Sequence, residues 1–141
     1  MEKSNPILII EDSIEDFEIV SWAFQKAGNQ QSIERVARAE DALLRINQFD
    51  ALKPCLILLD LNLPGMSGKE LLTLIKQSDD GSFIPVVVLS NSNNPHDIKS
   101  CYRLGASGYI CKPLQLQQFI DKIKNLMSYW FNTVALPLER N

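Results

Sequence analysis

At four places in the chain a short apolar run ends directly in polar residues. Ile7-Leu8-Ile9-Ile10 is followed by Glu11-Asp12, and Cys55-Leu56-Ile57-Leu58-Leu59 by Asp60. Val86-Val87-Val88-Leu89 is followed by Ser90-Asn91, and Tyr109-Ile110-Cys111 by Lys112-Pro113. If the runs are strands of one sheet, three carboxylates, a hydroxyl and an ammonium meet at one edge. Crowded carboxylates repel one another until something positive joins them. A hard divalent cation such as Mg²⁺ suits such a set, because it takes oxygen ligands and keeps several waters. Asp12 and Asp60 can bind it directly, Glu11 through a water, and the backbone carbonyl of Asn62 can complete the protein side. Lys112 supplies a point charge for a phosphate, and Ser90 a hydroxyl donor. Together they form a set for phosphoryl transfer onto a carboxylate. Taken singly, an acidic residue at a strand end reads as a helix cap, Lys-Pro as a turn, and a serine as a cap or a main-chain ligand. Capping alone does not require all of them at successive strand ends.

The elements that must position these residues follow from periodicity. Cys55–Leu59 and Val86–Leu89 are almost purely apolar and too short for helices, as expected of strands buried on both faces. Between the runs lie amphipathic stretches. Residues 14–28 carry Phe17, Val20, Phe24 and Ala27 on one stripe, with Gly28 as the stop. Residues 31–37 alternate weakly, as an outer strand does, and Ala39–Gln48 has Ala42, Leu43 and Ile46 at helical spacing. Ser67 and Glu70 fit a capping box before Leu71, Leu72, Leu74 and Ile75. Pro95–Leu104 reads as a short helix ended by Gly105. Leu116, Phe119, Ile120, Ile123, Leu126, Met127 and Trp130 step at three and four along a last helix. Five strands alternating with five helices predict a doubly wound α/β fold with a five-stranded parallel sheet. In such a sheet ligands bind beyond the carboxyl ends of the strands, where strand order reverses.

Composition narrows the function. The 141 residues suit one domain, and 45% apolar with 22% charged residues excludes disorder. A net charge of −3 argues against nucleic acid as a partner. No apolar run approaches the length of a membrane span, and Met1–Pro6 lacks a signal peptide's apolar stretch. Cys55, Cys101 and Cys111, an odd count with no CxxC spacing, indicate reduced thiols and a cytoplasmic location. Cys101 and Cys111 read as small buried hydrophobes. His96 is the only histidine, so a multi-histidine zinc site is impossible. It follows Pro95, no GxSxG surrounds any serine, and it reads as a solvated residue at a helix start rather than part of a triad. Trp22 lies off the main stripe of its helix, exposed or at an interface.

The motif set resembles the response-regulator receiver domain of two-component signalling. It comprises Glu11-Asp12, then Leu59-Asp60-Leu61-Asn62-Leu63-Pro64-Gly65-Met66-Ser67-Gly68, then Pro85-Val86-Val87-Val88-Leu89-Ser90, then Gly105-Ala106 and Tyr109-Ile110-Cys111-Lys112-Pro113. The resemblance covers residues 6 to about 127, with no motif residue missing, and assigns 1–127 to a receiver domain of flavodoxin-like fold. It implies that Asp60 is the phosphoacceptor, Glu11 and Asp12 the metal-binding acidic pair and Lys112 the phosphate-pairing lysine. Ser90 is then the hydroxyl that moves onto the phosphoryl group and Tyr109 the aromatic switch. The donor is a sensor histidine kinase, the cofactor Mg²⁺, and the output a protein contact, since no DNA-binding region follows. A receiver is a phosphoacceptor that assists its own phosphorylation and dephosphorylation, not an enzyme in the usual sense. Asn62 and Ser92 flank the site and tune the access of water.

Residues 128–141 lie beyond a receiver's usual end. Ser128-Tyr129-Trp130-Phe131-Asn132-Thr133-Val134-Ala135-Leu136-Pro137 and the loop Asn91-Ser92-Asn93-Asn94-Pro95 are similar to the stand-alone regulators that serve cyanobacterial and bacterial phytochromes. That narrower resemblance implies a phytochrome as the kinase. The apolar tail either packs on its own domain or forms a homodimer contact, and the little spare apolar surface of a lone domain favours the dimer. Two other readings compete. An aspartyl-phosphate phosphatase of the haloacid-dehalogenase type wants an aspartate two residues after the nucleophile, where Asn62 stands, and a cap domain. A receiver-like scaffold that is never phosphorylated needs none of Glu11, Asp12, Asp60, Ser90 and Lys112.

Overall fold

The computed structural model describes residues 5–113 and 115–137. The first four residues of the expected 1–127 domain, Leu114 and the last four residues of the 128–141 extension lie outside the described residues. In chain order the elements are β1 (Ile7–Ile10), α1 (Ile14–Lys26), β2 (Ile33–Val36), α2 (Ala39–Ile46) and β3 (Leu56–Asp60). They continue with α3 (Gly68–Gln77), β4 (Val86–Ser90), α4 (Pro95–Arg103), β5 (Gly108–Cys111) and α5 (Leu116–Met127).

All strand pairs are parallel, in the order β2-β1-β3-β4-β5. The chain moves outward from β1 to β2, then crosses back to β3 and proceeds the other way. This reversal opens a crevice at the carboxyl ends of β1 and β3. β1, β3 and β4 are buried at every residue, which explains their uninterrupted apolar runs. β2 and β5, at the edges, are half-buried throughout. Alternation divides the core in two. Leu8, Ile10, Ile57, Leu59, Val86 and Val88 join Ala42, Leu72, Ile75 and Cys101 on the α2–α4 side. Ile7, Ile9, Leu56, Leu58, Val87 and Leu89 join Phe24, Phe119 and Ile123 on the α1/α5 side. Full burial of each such side chain contributes about 1.5–3 kcal/mol, so short strands suffice to fix the register.

Register then places the site. Ile10 is level with Leu59 and Asp60 with Leu89, so Glu11 and Asp60 leave the sheet side by side and Ser90 one residue further along β4. The next helices start at once. Ser13 caps α1, its Oγ accepting from Asp16 N at 3.2 Å, with Glu15 and Asp16 in the positive first turn. Ser67 caps α3 in the same way, accepting from Glu70 N at 3.2 Å. The expected capping box is modified there: the Glu70 carboxylate accepts from the Ser67 hydroxyl at 3.4 Å. Gly68 is dictated by close packing, because a Cβ there would stand 2.5 Å from Leu61 Cα and 2.9 Å from the Asp60 carbonyl oxygen.

The last helix departs from expectation. α5 ends at Met127 and the chain widens into a π-helical segment, Ser128–Thr133, where Trp130 was expected to continue the α spacing. The wider turns let both Trp130 and Phe131 pack, with Leu136, against the α1/α5 side of the core. Tyr129 remains half-exposed and meets Trp130 edge to face, ring centroids 4.9 Å apart. α1 stops at Lys26, short of the expected residue 28, with Gly28 beyond it at φ +87°, while α3 begins at Gly68, directly after the expected cap Ser67.

Candidate functional site

Glu11 is 2% exposed and Asp60 8%, and between them stands Lys112. The Lys112 ammonium lies 3.3 Å from Glu11 Oε1, 3.5 Å from Asp60 Oδ2 and 3.7 Å from Asp16 Oδ2. Its backbone N–H donates to the Ser90 carbonyl at 2.7 Å, which ties the exit of β5 to the end of β4. Backbone donors hold the carboxylates in place. Ser13 N donates to Glu11 Oε2 at 3.3 Å and Asn62 N to Asp60 Oδ1 at 2.9 Å. Arg35, reaching from β2, donates to the carbonyls of Glu11 (3.1 Å) and Asp12 (2.9 Å), so it fixes their backbone and leaves their carboxylates free. Glu11, Asp12 and Asp60 each offer an oxygen within 4.8 Å of the others. Asp12 is exposed, which opens the cluster to solvent.

Three carboxylates share one ammonium here, and the electrostatics register the shortfall. Burial first, then the side-chain hydrogen bond and charge of Asp60, push Glu11 from an ordinary 4.5 up to about 7, with Lys112 opposing only in part. For Lys112, burial pulls the ammonium down, but Asp60, Glu11 and Asp16 outweigh it and hold its pKa above the ordinary value. A half-buried, under-neutralised set of oxygen donors is a chemical fit for a divalent cation. A groove of about 220 Å³ adjoins Lys112, with Ile19, Val20, Leu116 and Phe119 on its apolar walls.

The other side of Asp60 is saturated with hydrogen bonds. Ser90 is 1% exposed, and its hydroxyl accepts from Ser92 N at 3.1 Å, turned toward the β4–α4 loop. The half-buried Tyr109 donates its hydroxyl to the Ser92 carbonyl at 2.9 Å. Cys111 Sγ lies 3.5 Å from the same carbonyl and is only half-buried, unlike Cys101, which is fully buried as expected. The Asn62 side chain and His96 are exposed, and His96 N donates to the helix-capping Asn94 Oδ1 at 2.8 Å. Trp22 is 37% exposed beneath Lys26.

The fold thus gathers Glu11, Asp12, Asp60 and Lys112 into one cluster and sets Ser90 and Tyr109 around Ser92. Sequence reasoning missed Ser13, Asp16, Arg35, Lys69 and Asp97. Ser13 had a readable signal, a serine followed by Glu15 and Asp16 ahead of an apolar stripe. Arg35 had none, since its role depends on β2 lying beside β1.

A doubly wound parallel sheet with an acidic, lysine-bearing crevice at its carboxyl edge defines a flavodoxin-like receiver fold. Residues 7–124 match the response regulator receiver domain model, and the chain belongs to that family. It is 34% identical to response regulator Rcp1 of Synechocystis sp., over 96% of this chain and 97% of that protein. It is similar to the phosphorylated cyanobacterial phytochrome response regulator RcpA (TM-score 0.86, 34% identity, 94% of this chain and 98% of that one). The Mn²⁺-bound form of Rcp1 is likewise similar (TM-score 0.85, 33% identity, 95% and 99%). Among the described residues no helix is long and apolar enough to cross a membrane.

Proposed function

We propose that this chain is a single-domain response regulator that accepts a phosphoryl group on Asp60 from a sensor histidine kinase of the phytochrome type. The observation that carries the reading is the Lys112 ammonium set between Glu11 and Asp60, 3.3 and 3.5 Å away, with Asp12 in the same cluster. In the transfer, an oxygen of Asp60 attacks phosphorus in line, the N–P bond of the donor phosphohistidine breaks, and its electron pair stays on the imidazole. Asn62 N–H holds Oδ1 of the nucleophile, and Lys112 beside Oδ2 receives the charge of the arriving phosphoryl oxygens. Glu11, Asp12, Asp60 and the carbonyl of Asn62 would hold Mg²⁺, which supplies charge neutralisation for the phosphoryl oxygens when bound. Ser90 turns from Ser92 to the phosphoryl group, and Tyr109 follows into the space released. The surface of α4, β5 and α5 reports the change to a partner protein.

The apolar groove beside Lys112 gives the kinase's phosphohistidine-bearing element a place to dock. Residues 1–127 form the receiver, and the 128–141 extension adds a second surface. Half-exposed Tyr129 leaves part of that extension available to a second copy, and the free thiols of Cys55, Cys101 and Cys111 support a cytoplasmic location.

Intact-mass analysis after incubation with a small acyl-phosphate donor and Mg²⁺ tests this. One alkali-labile phosphoryl adduct is expected, lost without Mg²⁺ and in Asp60→Asn. An adduct that persists in Asp60→Asn would sink the assignment.

A further inference from the structure

Ser92 is a junction of hydrogen bonds, and besides the Cys111 Sγ contact to its carbonyl it has four partners. Its N–H donates to Ser90 Oγ at 3.1 Å, and its carbonyl accepts from Tyr109 at 2.9 Å. Its hydroxyl donates to Asp97 Oδ2 at 2.6 Å and accepts from Asn94 N at 3.2 Å. Asp97 sits in the first turn of α4, and its other oxygen takes the ammonium of Lys69, from the first turn of α3, at 2.9 Å. The Ser92 hydroxyl and Lys69 hold the Asp97 carboxyl below its usual range, and Asp97 holds Lys69 above its own. The chain Lys69–Asp97–Ser92 therefore links α3 and α4 to the β4–α4 loop, whose Ser92 contacts both switch residues, Ser90 at the end of β4 and Tyr109 in β5.

We propose that Lys69, Asp97 and Ser92 form a latch that holds the receiver in its resting state and sets how readily phosphorylation switches it. The proposal rests on the phosphoacceptor reading of Asp60. Moving Ser90 Oγ toward a phosphoryl group on Asp60 costs the bond from Ser92 N if Ser92 stays. If Ser92 follows, it costs the short bond to Asp97 and strains that of Tyr109. Either path gives up a contact that only the resting arrangement makes. A ligand shifts a two-state equilibrium only by its differential affinity for the two states, so weakening the resting contacts must raise apparent affinity for anything that favours the switched state. Lys69 and Asp97 are positioning residues, acting through Ser92 without touching Asp60.

Beryllofluoride, an acyl-phosphate mimic, titrated with Mg²⁺ and followed by the Ser90 and Tyr109 amide resonances, reads this directly. Ser92→Ala, Asp97→Asn and Lys69→Met should each bind it on the order of fivefold more tightly than wild type. Lys69→Met combined with Asp97→Asn should gain no more than either alone. Lys69→Arg, which keeps the ion pair, should match wild type. The Lys69 and Asp97 side chains are 32% and 30% exposed, so salt screens their attraction. The gap between wild type and Lys69→Met should therefore close as ionic strength rises. Thermal unfolding without ligand identifies any variant that has merely lost its fold, and the remaining two then carry the test. Unchanged or weaker binding in folded variants, beside a wild type that responds, overturns the latch alone. A wild type that neither binds the mimic nor takes a phosphoryl group on Asp60 removes the receiver reading and the latch with it.

Discussion

The two sides of Asp60 are built on opposite principles. Toward β1 lie Glu11, Asp12 and one shared ammonium, a set whose charge is unbalanced and whose Glu11 is pushed up to about 7. Toward β4 and β5 Ser90, Ser92, Tyr109 and Asp97 are joined by hydrogen bonds, and the Lys69–Asp97 ion pair there sets one charge against one. The first side is poised to take in charge, while the second resists moving. A switch needs both, because the acidic side must draw in a cation before it can accept an anionic phosphoryl group, and a pocket strained on all sides has no resting state.

The largest effect should come from removing the ammonium that the carboxylates of the unbalanced side share. Lys112→Met leaves Glu11, Asp12 and Asp60 with no ammonium among them. The rate of Asp60 phosphorylation by a small acyl phosphate should fall by about 10²–10³, the usual cost of losing a preorganised charge partner. Quenched-flow mass analysis reads it, and a rate within a few-fold of wild type would mean that Lys112 is a structural tether. Gly68→Ala tests how the nucleophile is set. The added methyl must displace the Leu61 backbone or α3, because the close neighbours are main-chain atoms. A loss of about 1–3 kcal/mol of stability is expected from such overpacking, with a slower phosphorylation rate than Ser67→Ala, which removes only the cap.

Glu11 gives the comparison a pH signature. Its folded pKa, about 7, lies above its ordinary 4.5, so the native chain holds a proton that the unfolded chain has released. That contribution to stability is present in full below 4.5 and is lost as pH rises through 7. The Tm of the metal-free protein should decline across that window more than that of Glu11→Gln. Mg²⁺ competes with the same proton, so saturating Mg²⁺ should remove the decline. A metal-free wild type and Glu11→Gln with parallel profiles would show that Glu11 is not the group responsible.

The sheet and its site were legible for one reason: parallel strands buried on both faces appear as apolar runs, and each run stops where its polar residue begins. Asp60 and Ser90 need no tertiary knowledge to find, since nothing else ends Leu56–Leu59 and Val86–Leu89. Lys69 and Asp97 were illegible for the converse reason. Each looks like an ordinary helix-start charge, 28 positions apart in sequence, and only the packing of α3 against α4 brings them together. Arg35 is similar, anchored through backbone carbonyls that carry no residue identity. The π-helical segment escaped because Trp130 continues the spacing of Leu126 and Ile123, and the pattern cannot tell an α-turn from a wider one.

The smallest effect belongs to the saturated side. Tyr109→Phe keeps the ring against the α2–α4 core and deletes only the hydroxyl that meets the Ser92 carbonyl. One neutral hydrogen bond contributes roughly 1 kcal/mol, so Tm should drop by a few degrees and Asp60 phosphorylation should keep its rate. The resting state alone loses that bond if Tyr109 turns away on switching, so beryllofluoride should bind Tyr109→Phe more tightly than wild type. Combined with Ser92→Ala, the gain should fall short of the sum, because both changes loosen the same junction. Strict additivity would separate Tyr109 from Ser92 and leave the aromatic ring to move for reasons of packing alone.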